Sequence, residues 1–582
     1  MRRPRNSYAD GDAFDGNVHR DKDGRLVTDN AGFIADDTNM PKGYYYSPTF
    51  IATVMAIGLG FFAGVSAFAY AAPVLSTINA DIGPDPNITW VALIHPIALS
   101  VALTVIGRVT DIFGRRWFFI GGATLATIGT LVSALAENVP MLIAGATIKA
   151  LAASTQLSVY YAISELVPMK YRYIANGLVY IFQLPASATA PVIAQSFVTQ
   201  SSLGWRGFFY ILTGANALSG LLYFFFYFPP DFQDKHGRRE QKKEWVKNFD
   251  YFGVLLYSAG LVLFLLGLSW GGSVYPWKSA SVVCAIVIGA LSLIGFFCWE
   301  TFAPLKEPLV PMRLFKNRGW ASSAILAGIG AGIYYANAIV WPQLCQRVWA
   351  KGDVMYGASL AIIPSCCMCT GQIMGGAFAK RVKKQKYQCI AGAVVGGALI
   401  ASASIVDPDN KAPTIVLVGL GSYALGWMET IAMTNTLVTI HDQQEIGAAA
   451  GISGAVRTCI ASVASTIFTL TLNTRLASTI PAHVPQALLK AGLPASSIPA
   501  FLAALKTGKF QGVHGLTAAI QAAGARANVL AYTAAFKTVF LASLGFTGCA
   551  VIAAILSPNV DNILAGNGGV SATLGGRKNE EV

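Results

Sequence analysis

About fourteen long apolar runs divide this 582-residue chain, and they limit its possible folds more than any other feature. Each run has about 19 residues or more, the length that a helix needs to cross the hydrocarbon core of a bilayer. Because a backbone in lipid must satisfy its own hydrogen bonds, the runs predict an all-α membrane protein with fourteen spans. The runs centre near Gly60, Ala98, Thr127, Leu151, Pro185, Ser219, Leu261, Leu291, Gly330, Met368, Val395, Tyr423, Ser462 and Ser543.

The composition agrees with a membrane protein. Hydrophobic residues make up 54% of the chain and charged residues only 12%, about half the charged share of a soluble protein. The net charge of +13 raises the alternative of nucleic-acid binding. The Lys and Arg residues, however, stand in short clusters between apolar runs, as in the cytosolic loops of membrane proteins. We therefore expect a lipid bilayer as the partner of this chain, and no nucleic acid.

The basic clusters also predict the orientation of the chain. Loops after even-numbered runs carry most of the Lys and Arg residues, for example at 108–116, 235–247 and 380–386. Loops after odd-numbered runs carry few, if the long last loop is set aside. Because positive loops stay in the cytosol, we expect an even number of spans and both termini in the cytosol.

A turn rich in glycine and arginine follows the second run, with the sequence Gly107-Arg-Val-Thr-Asp-Ile-Phe-Gly-Arg-Arg116. The two glycines permit a tight turn, and Asp111 can pair with an arginine or cap the helix that follows. A charge lock at a helix junction can hold one conformation until it breaks. The alternative is a basic loop in which Asp111 is a local counter-ion. The predicted conformational latch consists of Gly107, Arg108, Asp111, Gly114, Arg115 and Arg116.

This turn resembles the signature loop of the major facilitator superfamily. A second copy without the acidic residue follows the tenth run, as Gly375-Gly-Ala-Phe-Ala-Lys-Arg-Val-Lys-Lys384. The repetition suggests a major facilitator fold of two six-helix halves with two inserted transmembrane helices between them.

Within the superfamily, the chain resembles the fungal trichothecene efflux pump family over most of its length. The resemblance implies proton-coupled export of small amphipathic molecules from the plasma membrane, and siderophore transporters are close relatives. The segments that carry it are Asp111-Ile-Phe-Gly-Arg-Arg-Trp-Phe-Phe-Ile-Gly-Gly122, Glu165-Leu-Val-Pro-Met-Lys-Tyr-Arg172, Leu268-Ser-Trp-Gly-Gly-Ser-Val-Tyr-Pro-Trp277, Glu307-Pro-Leu-Val-Pro-Met-Arg-Leu-Phe315, Gly451-Ile-Ser-Gly-Ala-Val-Arg457 and Ile480-Pro-Ala-His-Val-Pro485.

Two positions depart from proton-coupled members of the superfamily. Many of those members carry an arginine in the fourth span, where this chain has Ala146, with Lys149 one turn further on. The fifth-span antiporter motif, Gly-Pro-x-x-Gly-Gly, reads here as Ala190-Pro-Val-Ile-Ala-Gln195.

This arrangement predicts how the chain is divided. The two six-helix halves are expected at residues 48–228 and 320–556, and the two inserted helices at residues 251–300. Cytosolic segments are expected at residues 1–47, 229–250, 301–319 and 557–582, the first as a disordered tail. Residues 473–530 are predicted to form a long outside loop. Within that loop, Gln486 to Leu493 and Ser497 to Leu505 predict short surface helices or a cap. The prolines that argue against a span there are Pro481, Pro485, Pro494 and Pro499.

Four ionisable residues fall inside apolar runs. Lys149 lies near the centre of the fourth run, where a lysine costs about 3 kcal/mol on insertion scales, and Arg457 reaches mid-depth in the thirteenth run. Glu429 and His95 are candidate proton carriers, because both side chains exchange protons. We predict that His95, Lys149, Glu429 and Arg457 serve substrate binding or proton coupling. The alternative is structural hydrogen bonding between helices.

Aromatic side chains in the runs are candidates for the wall of an amphipathic cavity, although most membrane aromatics pack or anchor at the interface. These candidates are Tyr160, Tyr161, Tyr180, Phe182, Tyr334 and Tyr335.

Missing motifs restrict the function. The sequence contains no phosphate-binding Gly-x-x-x-x-Gly-Lys-Ser/Thr loop and no hydrolase signature, which disfavours an ATP-driven pump or an enzyme. Cys366, Cys367 and Cys369 lie in an apolar run without a second ligand group and are predicted to pack. No catalytic residue, metal site or cofactor is therefore expected.

The sequence predicts a secondary active transporter that works by alternating access. It is expected to export a toxin or an amphipathic secondary metabolite, with protons as the coupling ion. One alternative is uptake of a ferric siderophore. Another is a non-transporting nutrient sensor, which the short tails disfavour because sensors need long cytosolic extensions.

Overall fold

The computed structural model describes residues 43–229, 242–272, 275–440, 445–507 and 513–561, together with 18–20, 26–28, 33–34, 510, 563 and 571–572. Most of the predicted tails at 1–47 and 557–582, and much of the basic loop at 229–250, lie outside the described residues.

Thirteen helices in the described part of the chain are long and apolar enough to cross a membrane, and one bent pair adds a fourteenth span. Every apolar run named above falls inside one of them, so the prediction of an all-α bundle with fourteen spans is confirmed. Spans 1 to 14 are Pro48–Ile82, Trp90–Phe113, Arg116–Ala134, Val139–Glu165, Met169–Gln200, Arg206–Phe226, Tyr251–Trp270, Ala280–Phe302, Arg318–Trp349, Val354–Val382, Gln385–Ile405, Ala412–Val438, Ile446–Lys490 and Ala518–Leu556.

Several spans are composed of shorter helices. These are Pro48–Ala69, Ala72–Val74 and Leu75–Ile82 in span 1; Val139–Gln156 and Val159–Glu165 in span 4; Met169–Tyr171, Arg172–Val179, Tyr180–Gln183, Leu184–Ala188 and Ala190–Gln200 in span 5; Arg318–Leu344 and Cys345–Trp349 in span 9; Val354–Ala361 and Ile363–Val382 in span 10; and Gln385–Ser402 and Ala403–Ile405 in span 11.

Short elements connect or flank the spans. The connecting helices are Tyr44–Tyr46, Pro86–Thr89, Lys242–Asn248, Arg313–Lys316, Ala495–Ser497 and Ile498–Thr507. Four short strands, β1 (Val18–Arg20), β2 (Leu26–Thr28), β3 (Phe33–Ile34) and β4 (Ser571–Ala572), form two antiparallel pairs, β1 with β2 and β3 with β4.

Short polar side chains begin many of the spans. Each accepts a hydrogen bond from a backbone N–H of the first turn, which would otherwise have no partner. They are Ser47, Asn138, Asp250, Ser279, Asn317 and Thr517.

Span 5 bends by 41° between Ala188 and Ala190. Pro185 and Pro191 flank the bend, and each removes one backbone N–H and crowds the preceding turn. The turn Leu184–Ala188 is a π-helix, a common site of helix kinks. The bend is therefore a local consequence of the two prolines.

Because the number of spans is even, the chain enters and leaves the bundle on one face, called here the terminal face. Spans 2, 4, 10 and 12 end at this face, and spans 5 and 13 begin there. The other face is called the far face.

Spans 13 and 14 are about twice as long as a bilayer crossing requires. Span 13 is one helix of 45 residues and span 14 one of 39, whereas about 20 residues suffice to cross the hydrocarbon core. The outside loop predicted at residues 473–530 is therefore helical at both of its ends. The predicted surface helix from Gln486 to Leu493 is mostly the last turn of span 13, and the structure has a helix at Ile498–Thr507 near the second predicted one.

Packing explains why Pro481 and Pro485 do not end span 13. Val484 and Leu488, on the same helix, are completely buried against residues of the next segments. This burial offsets the backbone hydrogen bonds that the prolines remove. We call the cluster the far-face cap; its buried members are Val484, Leu488, Leu493, Phe501, Ile520 and Ala527.

Candidate functional site

Asp111 connects the two halves of the bundle at the terminal face. Its buried carboxylate accepts hydrogen bonds from the backbone N–H groups of Gly447, at 3.1 Å, and Ala448, at 2.6 Å. These groups belong to the first turn of span 13, where helix N–H groups have no helical partner and the helix dipole is positive. A side chain at the end of span 2 therefore caps a helix of the other half.

This cap differs from the one that the sequence suggests. Asp111 was expected to cap the helix that follows it, but the helix end that it caps is 336 residues away. Span 3, which does follow, has Arg115 at its N-cap position and no side-chain cap. The other expectation, a pair with an arginine, matches the structure, because Arg115 Nη2 lies 3.0 Å from Asp111 Oδ1.

Arg115 is buried among acidic and aromatic groups, with 1% of its side chain exposed. It pairs with Asp111 and with Glu165 at the end of span 4. Its guanidinium also lies 4.3 Å from the centre of the Tyr161 ring, a favourable cation–π arrangement. Arg115 thus joins the turn after span 2 to the end of span 4.

Arg108 extends this charge cluster to the linker between spans 8 and 9. It lies 2.7 Å from Glu307 of the linker and 3.7 Å from Glu445, just before span 13. Arg313, also in the linker, lies 2.6 Å from Glu445. Burial raises the pKa of Glu307; the Arg108 guanidinium opposes this shift and Glu445 adds to it.

Arg116 lies apart from this cluster. It donates a hydrogen bond to the carbonyl of Phe224, and its guanidinium stacks 3.7 Å from the centre of the Phe228 ring. The structure therefore brings Arg108, Asp111 and Arg115 together and directs Arg116 toward span 6.

Glycines allow spans 2 and 13 to touch at their backbones. A Cβ on Gly107 would lie 2.4 Å from the carbonyl oxygen of Gly447, and one on Gly451 would lie 2.4 Å from that of Leu103. Gly114 has a φ of +88°, a conformation that suits glycine and forms the turn into span 3. The predicted latch glycines thus serve close approach and turning.

Spans 5 and 10 form a second contact between the halves at the terminal face. A Cβ on Gly376 would lie 2.4 Å from the Cα of Gly177. Nearby, the hydroxyl of Tyr173 is hydrogen-bonded to Asn435, and Arg172 donates to the carbonyl of Leu437 at 3.4 Å. Together with the Asp111 cap, these contacts close the terminal face.

Glu429 and Arg457 form an ion pair inside the second half. Glu429 Oε1 lies 2.8 Å from Nε and 2.7 Å from Nη2 of Arg457, and Gln372 donates to Glu429 Oε2 at 3.0 Å. The Glu429 side chain is completely buried. Spans 10, 12 and 13 therefore meet at a charged pair that is removed from water.

Tyrosines surround this pair. The Arg457 guanidinium lies 5.9 Å from the centre of the Tyr335 ring. Tyr160 and Tyr180, from the first half, are in contact with each other and within electrostatic range of both charges. Three of the predicted cavity aromatics thus lie around Glu429 and Arg457, between the two halves.

His95 and Lys149 belong to a different place, inside the first half. Both line a pocket between spans 1, 2 and 4. The imidazole of His95 stacks on Phe68, with ring centres 5.7 Å apart, and the Lys149 ammonium lies 4.2 Å from the centre of the Phe209 ring. The four predicted intramembrane residues therefore form two separate pairs, one in each half.

Sequence reasoning missed Glu165, Glu307 and Glu445 as members of the charge cluster. A signal was present for Glu165 and Glu307, because each lies in a segment of the terminal face that also carries an arginine, whereas the loop of Glu445 carries none. What the sequence lacked was any indication of which arginine each would meet. Among the described residues, no group of three or more His, Cys, Asp or Glu side chains is arranged to hold a metal ion.

Comparison with known proteins identifies the family. The family model described as "Fungal trichothecene efflux pump (TRI12)" matches residues 16–581. The chain is 27% identical to the trichothecene efflux pump TRI12 of Fusarium sporotrichioides, over 90% of this chain and 88% of that protein. It is also 27% identical to the pump of the same name from Trichoderma arundinaceum, over 75% of this chain and 72% of that protein.

A solved structure supports the fold independently. The crystal structure of the human organic anion transporter MFSD10 matches 86% of this chain and all of its own, with a TM-score of 0.52 and 11% identity. At that identity the likeness concerns the fold alone, which is the major facilitator fold expected from the repeated loop. The chain is a multi-pass membrane transporter rather than an enzyme, and it belongs to the fungal trichothecene efflux pump family.

Proposed function

We propose that this transporter exports a toxin or another amphipathic secondary metabolite across the plasma membrane in exchange for protons. Its relatives are named as efflux pumps for trichothecenes, which supports export and the substrate class. Siderophore uptake, the main alternative, would use the same fold in the opposite direction.

The observation that carries the mechanism is the cap that Asp111 places on span 13. In alternating access, the two halves must separate at one face while they close at the other. Separation at the terminal face breaks the hydrogen bonds from Gly447 and Ala448 to Asp111. The cap is therefore a latch that holds the terminal face closed, and Arg108 and Arg115 position it through their acidic partners.

The proposed orientation places the terminal face in the cytosol. Lys and Arg cluster in the loops of this face, as the positive-inside rule requires. In that orientation the described conformation is closed toward the cytosol. It is the conformation that the transporter adopts just before or just after it releases substrate to the outside.

The Glu429–Arg457 pair is the proposed coupling element. A proton that binds Glu429 neutralises the carboxylate and frees Arg457, so protonation and the contact between spans 12 and 13 are linked. Tyr160 and Tyr180 of the first half lie near the pair, so its rearrangement can influence how the halves meet.

A paired growth assay tests the direction and the substrate class. Yeast that lacks its own pumps and siderophore carriers would express the chain and be exposed to a sesquiterpenoid toxin. In parallel, the same cells would be starved of iron and supplied with ferric siderophores. Resistance with less cell-associated toxin supports export. Rescue by ferric siderophore alone would refute it in favour of uptake.

Proton exchange needs its own measurement. Proteoliposomes loaded with a pH-sensitive dye should show proton movement when the toxin is added, in the direction opposite to the toxin. Toxin transport that continues unchanged after an ionophore has abolished the proton gradient would refute the coupling.

A further inference from the structure

The pocket between spans 1, 2 and 4 combines an apolar wall with two nitrogen groups. Lys149 lies ten residues after the first residue of span 4, about 15 Å along the helix at 1.5 Å per residue. Its side chain is 4% exposed, and His95 lines the same pocket. The rest of the wall consists of Ala67, Phe68, Ala71, Ala72, Leu75, Val91, Ala92 and Ala146.

Among the residues that the structure describes, none supplies a counter-charge to the Lys149 ammonium in this pocket. The ammonium lies 4.2 Å from the centre of the Phe209 ring, a position that stabilises a cation but does not neutralise it. No Asp or Glu lines the pocket. In the described part of the chain, no hydrogen bond or ion pair reaches this ammonium. An ammonium removed from water is costly unless an anion compensates it.

We infer that this pocket binds an acidic group of the transported molecule, with Lys149 as its counter-charge. The inference rests on the proposed function and makes it more specific: the substrate class is an amphipathic organic monoanion with a carboxylate, phenolate or enolate oxygen. The anionic oxygen accepts hydrogen bonds from Lys149 and from a ring nitrogen of His95. The cavity, about 10 Å³, has room for the acidic oxygen only, so the apolar remainder of the molecule extends out of its opening.

The arrangement differs from that of the second half. Arg457 has its own carboxylate, Glu429, at 2.7 Å, so its charge is compensated within the protein. Lys149 has no such partner in its pocket. The second half therefore contains a complete ion pair, Glu429 with Arg457, whereas the first half contains Lys149, whose anionic partner would be the bound molecule.

Binding of matched acids and esters tests the inference. The full chain in lipid nanodiscs would be dialysed to equilibrium against 1-naphthaleneacetate or its methyl ester, and against dehydroabietate or its methyl ester, with empty nanodiscs subtracted. We expect each acid to bind the wild-type protein at least about tenfold more tightly than its ester, because only the acid forms a charge-assisted hydrogen bond.

Variants separate charge from shape. Lys149→Met should weaken acid binding about tenfold and leave ester binding unchanged, whereas Lys149→Arg should keep the preference for acids. Lys537→Met, which removes an exposed lysine in span 14, should leave both affinities unchanged. Melting temperatures of the purified variants report whether each one is folded; if Lys149→Met fails to fold, Lys149→Gln replaces it.

Two results would overturn the inference. One is equal affinity of the wild-type protein for acid and ester, or no binding of either acid. The other is an equal loss of acid and ester binding in Lys149→Met, which would assign the lysine a structural role. Toxin export without acid binding would refute this inference alone, whereas acid binding without any export would refute only the proposed function.

Discussion

The carboxylate of Asp111 accepts a 2.6 Å hydrogen bond from the backbone N–H of Ala448, which joins the end of span 2 to the first turn of span 13. Neither partner is free to adjust alone, since Asp111 is also paired with Arg115 and Ala448 belongs to a long helix. In the proposed mechanism, this contact forms or breaks as the two halves move.

Asp111→Asn should loosen the closed terminal face. The change removes the ion pair with Arg115 and one of the two strong acceptors, at a cost of about 2 kcal/mol for hydrogen bonds to a charged group. This shifts the ratio of closed to open molecules about thirtyfold. We expect faster hydrogen–deuterium exchange in the peptide that contains Gly447 and Ala448, and strongly reduced toxin export at normal abundance.

The matched control for this variant is Asp353→Asn. Asp353 caps the first turn of span 10 on the far face through a local bond to Tyr356 N–H, and asparagine caps helices as well as aspartate does. Normal exchange and normal export in Asp111→Asn would contradict the latch.

Gly107→Ala should prevent spans 2 and 13 from closing. Its new Cβ would lie 2.4 Å from a backbone oxygen of Gly447, and a backbone atom cannot move aside as a side chain can. We expect export to fall at least tenfold, roughly the effect of a 1.4 kcal/mol change, while the protein stays folded in states with an open terminal face. Gly121→Ala in span 3 is the control, because nothing lies within 4 Å of its Cβ. Equal export by the two variants would show that close helix approach is not required.

Glu429→Gln should destabilise the second half. It leaves Arg457 buried beside a neutral side chain, and removal of one partner of a buried pair costs about 3 kcal/mol or more. The double variant Glu429→Gln/Arg457→Gln should recover much of this loss, because no unpaired charge remains. Chemical unfolding of the purified proteins measures both changes. A double variant as unstable as the sum of its single variants would mean that the two residues are not energetically coupled.

If the pair couples protons to transport, the same double variant should stay inactive although it is stable. Proton movement in proteoliposomes should also be absent from it. Restored proton-coupled export in the double variant would assign the pair a structural role only.

Phe501→Ala should unfold the far-face cap without unfolding the bundle. Phe501 is completely buried and would leave a cavity next to Gly524, at a cost of about 3–4 kcal/mol. The cap is a small separate cluster, so the loss should remain local. We expect faster proteolysis within residues 491–517 at an unchanged melting temperature of the bundle. The control is Leu489→Ala, at an exposed position nearby, which the protease should cleave at the wild-type rate. If both variants resist the protease equally, the cap does not depend on its buried core.

The sequence by itself determined the number and position of the spans. Crossing a bilayer requires a stretch of about 20 predominantly apolar residues, a local property that the sequence shows directly. The sequence also predicted the turn after span 2, because Gly107, Asp111 and Gly114 lie within eight residues of one another. Local chemistry was enough for these features.

Only the tertiary structure decided which groups meet across the bundle. Asp111 caps a helix 336 residues away, Arg108 meets a linker glutamate, and Lys149 faces Phe209 of span 6 rather than a carboxylate. Span 13 also continues through Pro481 and Pro485, because burial of Val484 and Leu488 offsets what the prolines remove. Such outcomes depend on the packing of distant helices, and neither hydropathy nor residue spacing records which helices become neighbours.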